Sequence, residues 1–174
     1  GGQHTCVLAD GEAFCWGSNA AGQLGNSGPS SPLPVAVTGL PAPVTGITAS
    51  RSHTCALAAG NAYCWGNNRF GQLGSGSAMD ASFPPTLVDT SGELKGKTVT
   101  AIVAGEFHTC ALAQGAAYCW GLNSDGQLGN GSRTSAASPV AVATAAFGGQ
   151  PVTMIRAGLW QTCALSGGNP FCWG

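Results

Sequence analysis

Charge is what this sequence has least of. Six Lys and Arg and seven Asp and Glu in 174 residues leave a formal net charge of −1, with no basic run anywhere. A surface that binds nucleic acid by displacing counterions needs clustered cations, so that class of function is disfavoured. Long apolar runs are missing too, and no stretch is long enough to span a bilayer. Helical periodicity is not evident in any window. Three common catalytic signatures are also lacking: a Gly-x-Ser-x-Gly elbow, a phosphate-cradling glycine loop and a metalloprotease helix. No signal peptide is visible, and the chain opens at Gly1 in mid-motif without a methionine. The expectation is a mature product or a piece of a longer polypeptide.

Glycine and cysteine are present in abundance, 28 and 8 residues, and both fall into a repeated phrase. The phrase runs from His4 to Gly17 and returns at 53–66, 108–121 and 161–174. Each copy holds two cysteines nine positions apart: Cys6/Cys15, Cys55/Cys64, Cys110/Cys119 and Cys163/Cys172. Midway between them lie Asp10-Gly11, Ala59-Gly60, Gln114-Gly115 and Gly167-Gly168. These read as two-residue hairpin turns, because a type I′ turn needs positive φ at both central residues and Asp-Gly is a strong signal for it. A turn there sets Cys6 opposite Cys15 on a non-hydrogen-bonded pair, where Cα atoms approach to about 4.5 Å. That spacing lies at the short end of what a disulfide bridges. Four cross-strand disulfides are therefore expected. The rival, a zinc site, would want cysteines two to four apart or histidines at metal spacing. Paired cysteines imply an oxidising compartment, hence a secreted or cell-surface protein.

After each of the first three hairpins comes a second phrase, Asn-x-x-Gly-Gln-Leu-Gly, at 19–25, 68–74 and 123–129. Its Gln is expected to cap backbone groups and its Leu to fill the core. Ser/Pro-rich loops then lead to strands headed by Pro34, Pro85 and Pro139, and further strands at 44–49, 99–104 and 152–157 run into the next hairpin. Proline suits a strand's first residue or an edge. First cysteines recur at intervals of 49, 55 and 53 residues. Four short strands in such a period are the signature of a β-propeller blade. The hairpins carry apolar side chains on both faces, as a sheet held between two others requires. The fold class is therefore all-β, a propeller of four-stranded blades with about three and a half blades over residues 1–174. A flat β-solenoid is the second architecture, and no helix is expected.

The string His-Thr-Cys-Ala-Leu … Gly … Tyr-Cys-Trp-Gly-x-Asn-x-x-Gly-Gln-Leu-Gly, from His53 to Gly74, resembles the regulator of chromosome condensation repeat. A secreted bacterial branch of that family carries the same cysteine pair. The resemblance implies propellers that act as interaction platforms and are usually seven-bladed. Members include exchange factors for a nuclear GTPase, a β-lactamase inhibitor and an ultraviolet sensor, and the repeat itself selects none of these activities. Two departures stand out. There are four hairpins but three intervening stretches, which implies an open arc with exposed strand edges. Gln161 also stands where the other copies have His4, His53 and His108.

The histidines occupy equivalent repeat positions, so a structural hydrogen-bonding role is expected rather than a metal site or catalysis. The acids Asp10, Glu12, Asp80, Asp89, Glu93, Glu106 and Asp125 do not recur in register, so no carboxylate pair repeats. The expectation is a protein that is not an enzyme and needs no cofactor. Trp16, Trp65, Trp120 and Trp173 follow a cysteine each and read as blade packing; Trp160 stands outside that series. It lies in the turn before a hairpin, where residues vary within an otherwise repetitive frame. Those turns hold Arg51, Glu106-Phe107 and Leu159-Trp160, and they are expected to ring one end of the propeller near its axis. A second variable pair, Arg69-Phe70, lies in the Asn-x-x-Gly turn. Exposed aromatics and arginine favour interface hot spots, so these seven are the candidate partner-binding residues, with plain surface drift as the competing explanation. The expected partner is a protein or copies of the chain itself. Residues 75–97 read as a solvated rim loop, and Asn130-Gly131-Ser132 matches a glycosylation sequon.

Overall fold

A computed structural model describes residues 1–79 and 82–174, so Asp80 lies outside the described residues. Among them are fourteen strands in four antiparallel sheets. Blade one contains β1 (His4–Ala9), β2 (Glu12–Gly17) and β3 (Ser31–Ala36). Blade two contains β4 (Val44–Ala49), β5 (His53–Ala58), β6 (Asn61–Gly66) and β7 (Ser82–Leu87). Blade three contains β8 (Val99–Ala104), β9 (His108–Ala113), β10 (Ala116–Gly121) and β11 (Ala136–Ala141). Blade four contains β12 (Val152–Ala157), β13 (Thr162–Ser166) and β14 (Asn169–Trp173). The strands of each sheet follow chain order, and β4, β8 and β12 contact one another in series along the inner side of an open arc.

The hairpin turns set the register. Asp10, Ala59 and Gln114 have φ of 52°, 49° and 51°, each followed by a glycine at 74–78°, while the fourth turn uses Gly167 and Gly168 at 55° and 82°. Both central residues are left-handed, as the tight turn demands. Cys6 then faces Cys15, and the same pairing holds in the other three hairpins. All eight cysteines are bonded in these pairs, with Cα atoms 4.1 Å apart.

The cystine-bearing face of each hairpin packs on the tryptophan-bearing face of the next. Cys55, Leu57, Ala62 and Cys64 meet Ala111, Ala113, Tyr118 and Trp120 between blades two and three. Cys110, Leu112, Ala117 and Cys119 meet Ala164, Phe171 and Trp173 between three and four. The leucine of each turn phrase (Leu24, Leu73, Leu128) is wholly buried in the same layers.

Three expectations need correction. The proline strands begin three residues earlier than Pro34, Pro85 and Pro139, so these residues lie inside β3, β7 and β11. Each is the outer edge strand of its sheet, and its register with the neighbouring strand shifts beside Gly17, Gly66 or Gly121. A missing N–H there breaks no inner ladder. Residues 75–97 do not form a merely solvated loop. Leu94 and Val88 are buried in the core, Asp89 Oδ2 accepts a hydrogen bond from Ser138 of blade three at 2.8 Å, and Lys97 lies 5.3 Å from the Tyr118 ring centroid. One short 3₁₀ turn, Thr144–Phe147, occurs where no helix was expected, and it buries Phe147.

Candidate functional site

The arc is held together by a four-residue relay at every blade junction. Thr54 Oγ1 of blade two donates to the Gln23 carbonyl of blade one at 2.9 Å, and Trp65 Nε1 donates to the same oxygen at 2.9 Å. His4 Nε2 lies 2.6 Å from Thr54 Oγ1. The pattern returns with His53, Thr109, Gln72 and Trp120, and with His108, Thr162, Gln127 and Trp173. A threonine hydroxyl has one proton, committed here to the carbonyl, so the histidine Nε2 is the donor. At His53 the ring's other nitrogen lies 2.6 Å from Ser50 Oγ, which satisfies it as an acceptor in the neutral imidazole. Burial is the main cause of the low pKa values, about 3 for His53 and about 4 for His4 and His108. Neighbouring histidines add to the effect at His53, and the N-terminal ammonium adds to it at His4. These histidines serve the junctions. Their partners lie in the adjoining repeat, a relation that counting within one repeat misses.

Each turn phrase caps itself. Gln23, Gln72 and Gln127 accept the backbone N–H of Ala21, Phe70 and Asp125 through Oε1, while Asn19, Asn68 and Asn123 accept those of Leu24, Leu73 and Leu128. With these residues occupied by the backbone, the two central positions are left to project from one end of the arc.

At that end, the last residues of the inner strands and the turns after them line a cleft of about 620 Å³. Its walls are small (Gly2, Ala49, Ala104, Gly105, Ala157, Gly158), and its larger lining side chains include Arg51, Glu106 and Leu159. Arg51 Nη1 donates to Glu106 Oε1 at 2.9 Å across blades two and three. Their side chains are 59% and 8% exposed, so the carboxylate is not the free surface group its variable position suggested. The Glu106 backbone N–H donates to the Leu159 carbonyl at 3.3 Å, tying in blade four.

Beside the cleft stands an aromatic ladder. Phe70 meets Phe107 edge-on, with centroids 5.3 Å apart and planes at 67°. Phe107 meets Trp160 at 5.5 Å and 55°. Arg69 lies over Phe70 at 5.8 Å. Leu159 and Trp160 are 62% and 44% exposed. Because Glu106 and Phe107 are neighbours, as are Leu159 and Trp160, the cleft and the ladder are two sides of the same turns. Six of the seven candidate residues therefore lie on one surface over blades two to four, with the buried Glu106 carboxylate held beneath by Arg51.

Sequence reasoning missed a second concavity of about 580 Å³, at the edge of blade four. There Phe147 lies 5.0 Å from Phe171 and 6.1 Å from Trp173 between ring centroids. A single aromatic residue in a connection otherwise built mostly of alanine and glycine was the available signal. Among the described residues, no three His, Cys, Asp or Glu side chains converge as a metal site would require.

The family model described as regulator of chromosome condensation (RCC1) repeat matches residues 10–57, 59–112 and 114–165, and a second model with the same description matches 44–72 and 99–127. The human and mouse E3 ubiquitin-protein ligase HERC2 are 38% identical over 78 residues, 44% of this chain and 2% of theirs. The crystal structure of human WBSCR16 superposes with a TM-score of 0.85 at 26% identity, over 99% of this chain and 45% of that one. Yeast RCC1 (Prp20), solved bound to Kap60, gives 0.83 at 22% identity, over 99% and 42%. The chain thus spans under half the length of each of these relatives.

Proposed function

Since the chain belongs to the regulator of chromosome condensation (RCC1) repeat family, we propose that it is a protein-interaction propeller segment whose partner docks on the turns at the axial end. The observation that carries this reading is the joined surface of ladder and cleft. An exposed tryptophan, two further aromatics and two arginines meet on a frame whose repeat pattern does not require them, and such residues dominate binding energy at interfaces. A yeast protein of the same fold was solved bound to another protein, Kap60, which supports a binding role by analogy. Four disulfides support a working place in an oxidising compartment, secreted or on a cell surface. The role is binding rather than catalysis, since the cysteines are paired and the buried histidines are engaged at blade junctions.

A photo-cross-linking residue at position 160 tests the reading against one at Lys95 on the exposed rim. In the protein's native surroundings, position 160 should capture a discrete protein and position 95 should not. Equal capture would end the proposal. Trp160→Ala should weaken that partner's binding without unfolding the protein, and equal affinity would remove Trp160 from the site.

A structural role is the second reading, favoured by one observation: among the described residues β1 and β14 pair on one side only, where their counterparts β5, β9 and β6, β10 pair on both. Unpaired edges invite another chain. Head-to-tail polymers that persist through serial dilution in sedimentation would support this role, whereas a dilution-stable monomer would favour the platform.

A further inference from the structure

The axial surface is polarised from blade to blade, and that polarity limits what fits on it. Resting on the protein-binding reading above, we infer that it holds an extended acidic–apolar peptide segment. Large apolar side chains of the segment lie over Phe107, Leu159 and Trp160, and its carboxylates point toward Arg51 and Arg69.

Charge sets the direction. The corresponding turns of blade one contribute Gly2, Gln3, Ala20 and Ala21, which are small or neutral. Blade two contributes both arginines. Among the described residues, Arg51–Glu106 is the one ion pair, so Arg69 has no carboxylate of its own. It lies stacked on Phe70 and is exposed to solvent. Arg51 reaches Glu106 through Nη1 alone, and the rest of its guanidinium, on a side chain that is 59% exposed, remains for a second carboxylate. Arginine's fork of donors suits that arrangement. Asp125 takes in the third repeat the place that Phe70 has in the second, and it is exposed. It would repel an acid laid at the far end of the ladder. An acidic group is therefore drawn to blade two and an apolar one to blades three and four.

Ring geometry favours a peptide over a sugar polymer. A sugar stacks on a flat, open ring face, whereas the ladder rings meet one another at 67° and 55° and leave edges and clefts between them. Such gaps accept branched or aromatic side chains, and the small-walled cleft of about 620 Å³ lies beside them. From Arg69 through Phe70 and Phe107 to Trp160 the separations are 5.8, 5.3 and 5.5 Å. At about 3.3 Å per residue, an extended segment of about five residues covers that span.

The test uses a displayed random-peptide library selected on the oxidised 174-residue chain, followed by anisotropy titrations of the enriched peptides at low and high salt. Enriched peptides should place Asp or Glu within about five residues of Leu, Phe or Trp. Arg69→Gln should weaken them about fivefold, Arg69→Lys less, and high salt should narrow the difference. Trp160→Ala should weaken them at least about thirtyfold. Arg51→Gln strands a buried carboxylate, so it is compared with Arg51→Gln/Glu106→Gln, which should fold and should also weaken binding. Peptides that need Trp160 yet carry no acids and ignore Arg69→Gln would overturn the acidic assignment while leaving the protein-binding reading in place. Peptides indifferent both to Trp160→Ala and to Arg69→Gln bind away from this surface and would overturn both. Direct, Trp160-dependent binding of labelled polygalacturonate with no peptide enriched would overturn the inference in favour of an acidic polysaccharide.

Discussion

Phe70 and Phe107 are thirty-seven residues apart in the chain, yet their ring centroids lie 5.3 Å apart, edge to face. One belongs to the turn phrase of blade two and the other to the turn before the hairpin of blade three. Two positions that look independently variable are thus a pair. A double-mutant cycle of Phe70→Ala and Phe107→Ala, read by urea unfolding, should give a coupling of roughly 0.5–1.5 kcal/mol. Additive losses would show that the rings do not meet in solution.

Acid should loosen the blade junctions. His53 titrates at about 3 in the folded chain, and His4 and His108 at about 4, against an ordinary value of 6.5. Between those limits the unfolded chain binds more protons than the folded one, so stability falls with falling pH. A pH series of melting temperatures should be flat in these groups above about 6.5 and should drop from there toward about 3. His108→Gln borrows the residue that the fourth repeat already carries at Gln161. It keeps a donor for Thr162 and should reduce the slope. An unchanged acid limb would assign the sensitivity to other groups.

Gly74 seats the tryptophan of the following blade. It has φ +71°, and a Cβ there would stand 2.6 Å from Trp120 Nε1, the atom that donates to the Gln72 carbonyl at 2.9 Å. Gly74→Ala should therefore cost more than the 1–2 kcal/mol or so of left-handed strain, because the indole must also give up its bond. Gly96→Ala supplies the control, with φ +68° and nothing within 4 Å. Equal losses of melting temperature in the two variants would remove the seat from the argument.

The cystines stabilise without defining the fold. Cys55 and Cys64 are nine residues apart, and closing so short a loop in the unfolded chain is worth about 2–3 kcal/mol. The double variant Cys55→Ser/Cys64→Ser should keep its far-UV circular dichroism and lose melting temperature. No change in melting temperature would count against the bond's contribution.

Sequence alone determined the hairpins, whose contacts act within about a dozen residues. The left-handed pairs at Asp10-Gly11 and its counterparts close hairpins locally, so the register, the facing cysteines and the all-β class were all legible in the spacing. Recurrence of the phrase then predicted blades, because hairpins apolar on both faces need neighbours on both sides. What remained hidden involves pairs from different repeats. His53 finds Thr109, Trp120 finds the Gln72 carbonyl, and Arg51 finds Glu106 only after one blade is stacked on the next. Val88 and Leu94, within the 75–97 stretch, read as solvated because their burial comes from packing with the adjoining blade and not from the polarity of the residues around them. The inter-blade rotation decides which turn positions touch, and no single repeat encodes it. Variable positions marked candidate residues for binding in the sequence, while the stacked tertiary arrangement decided that they form a single surface.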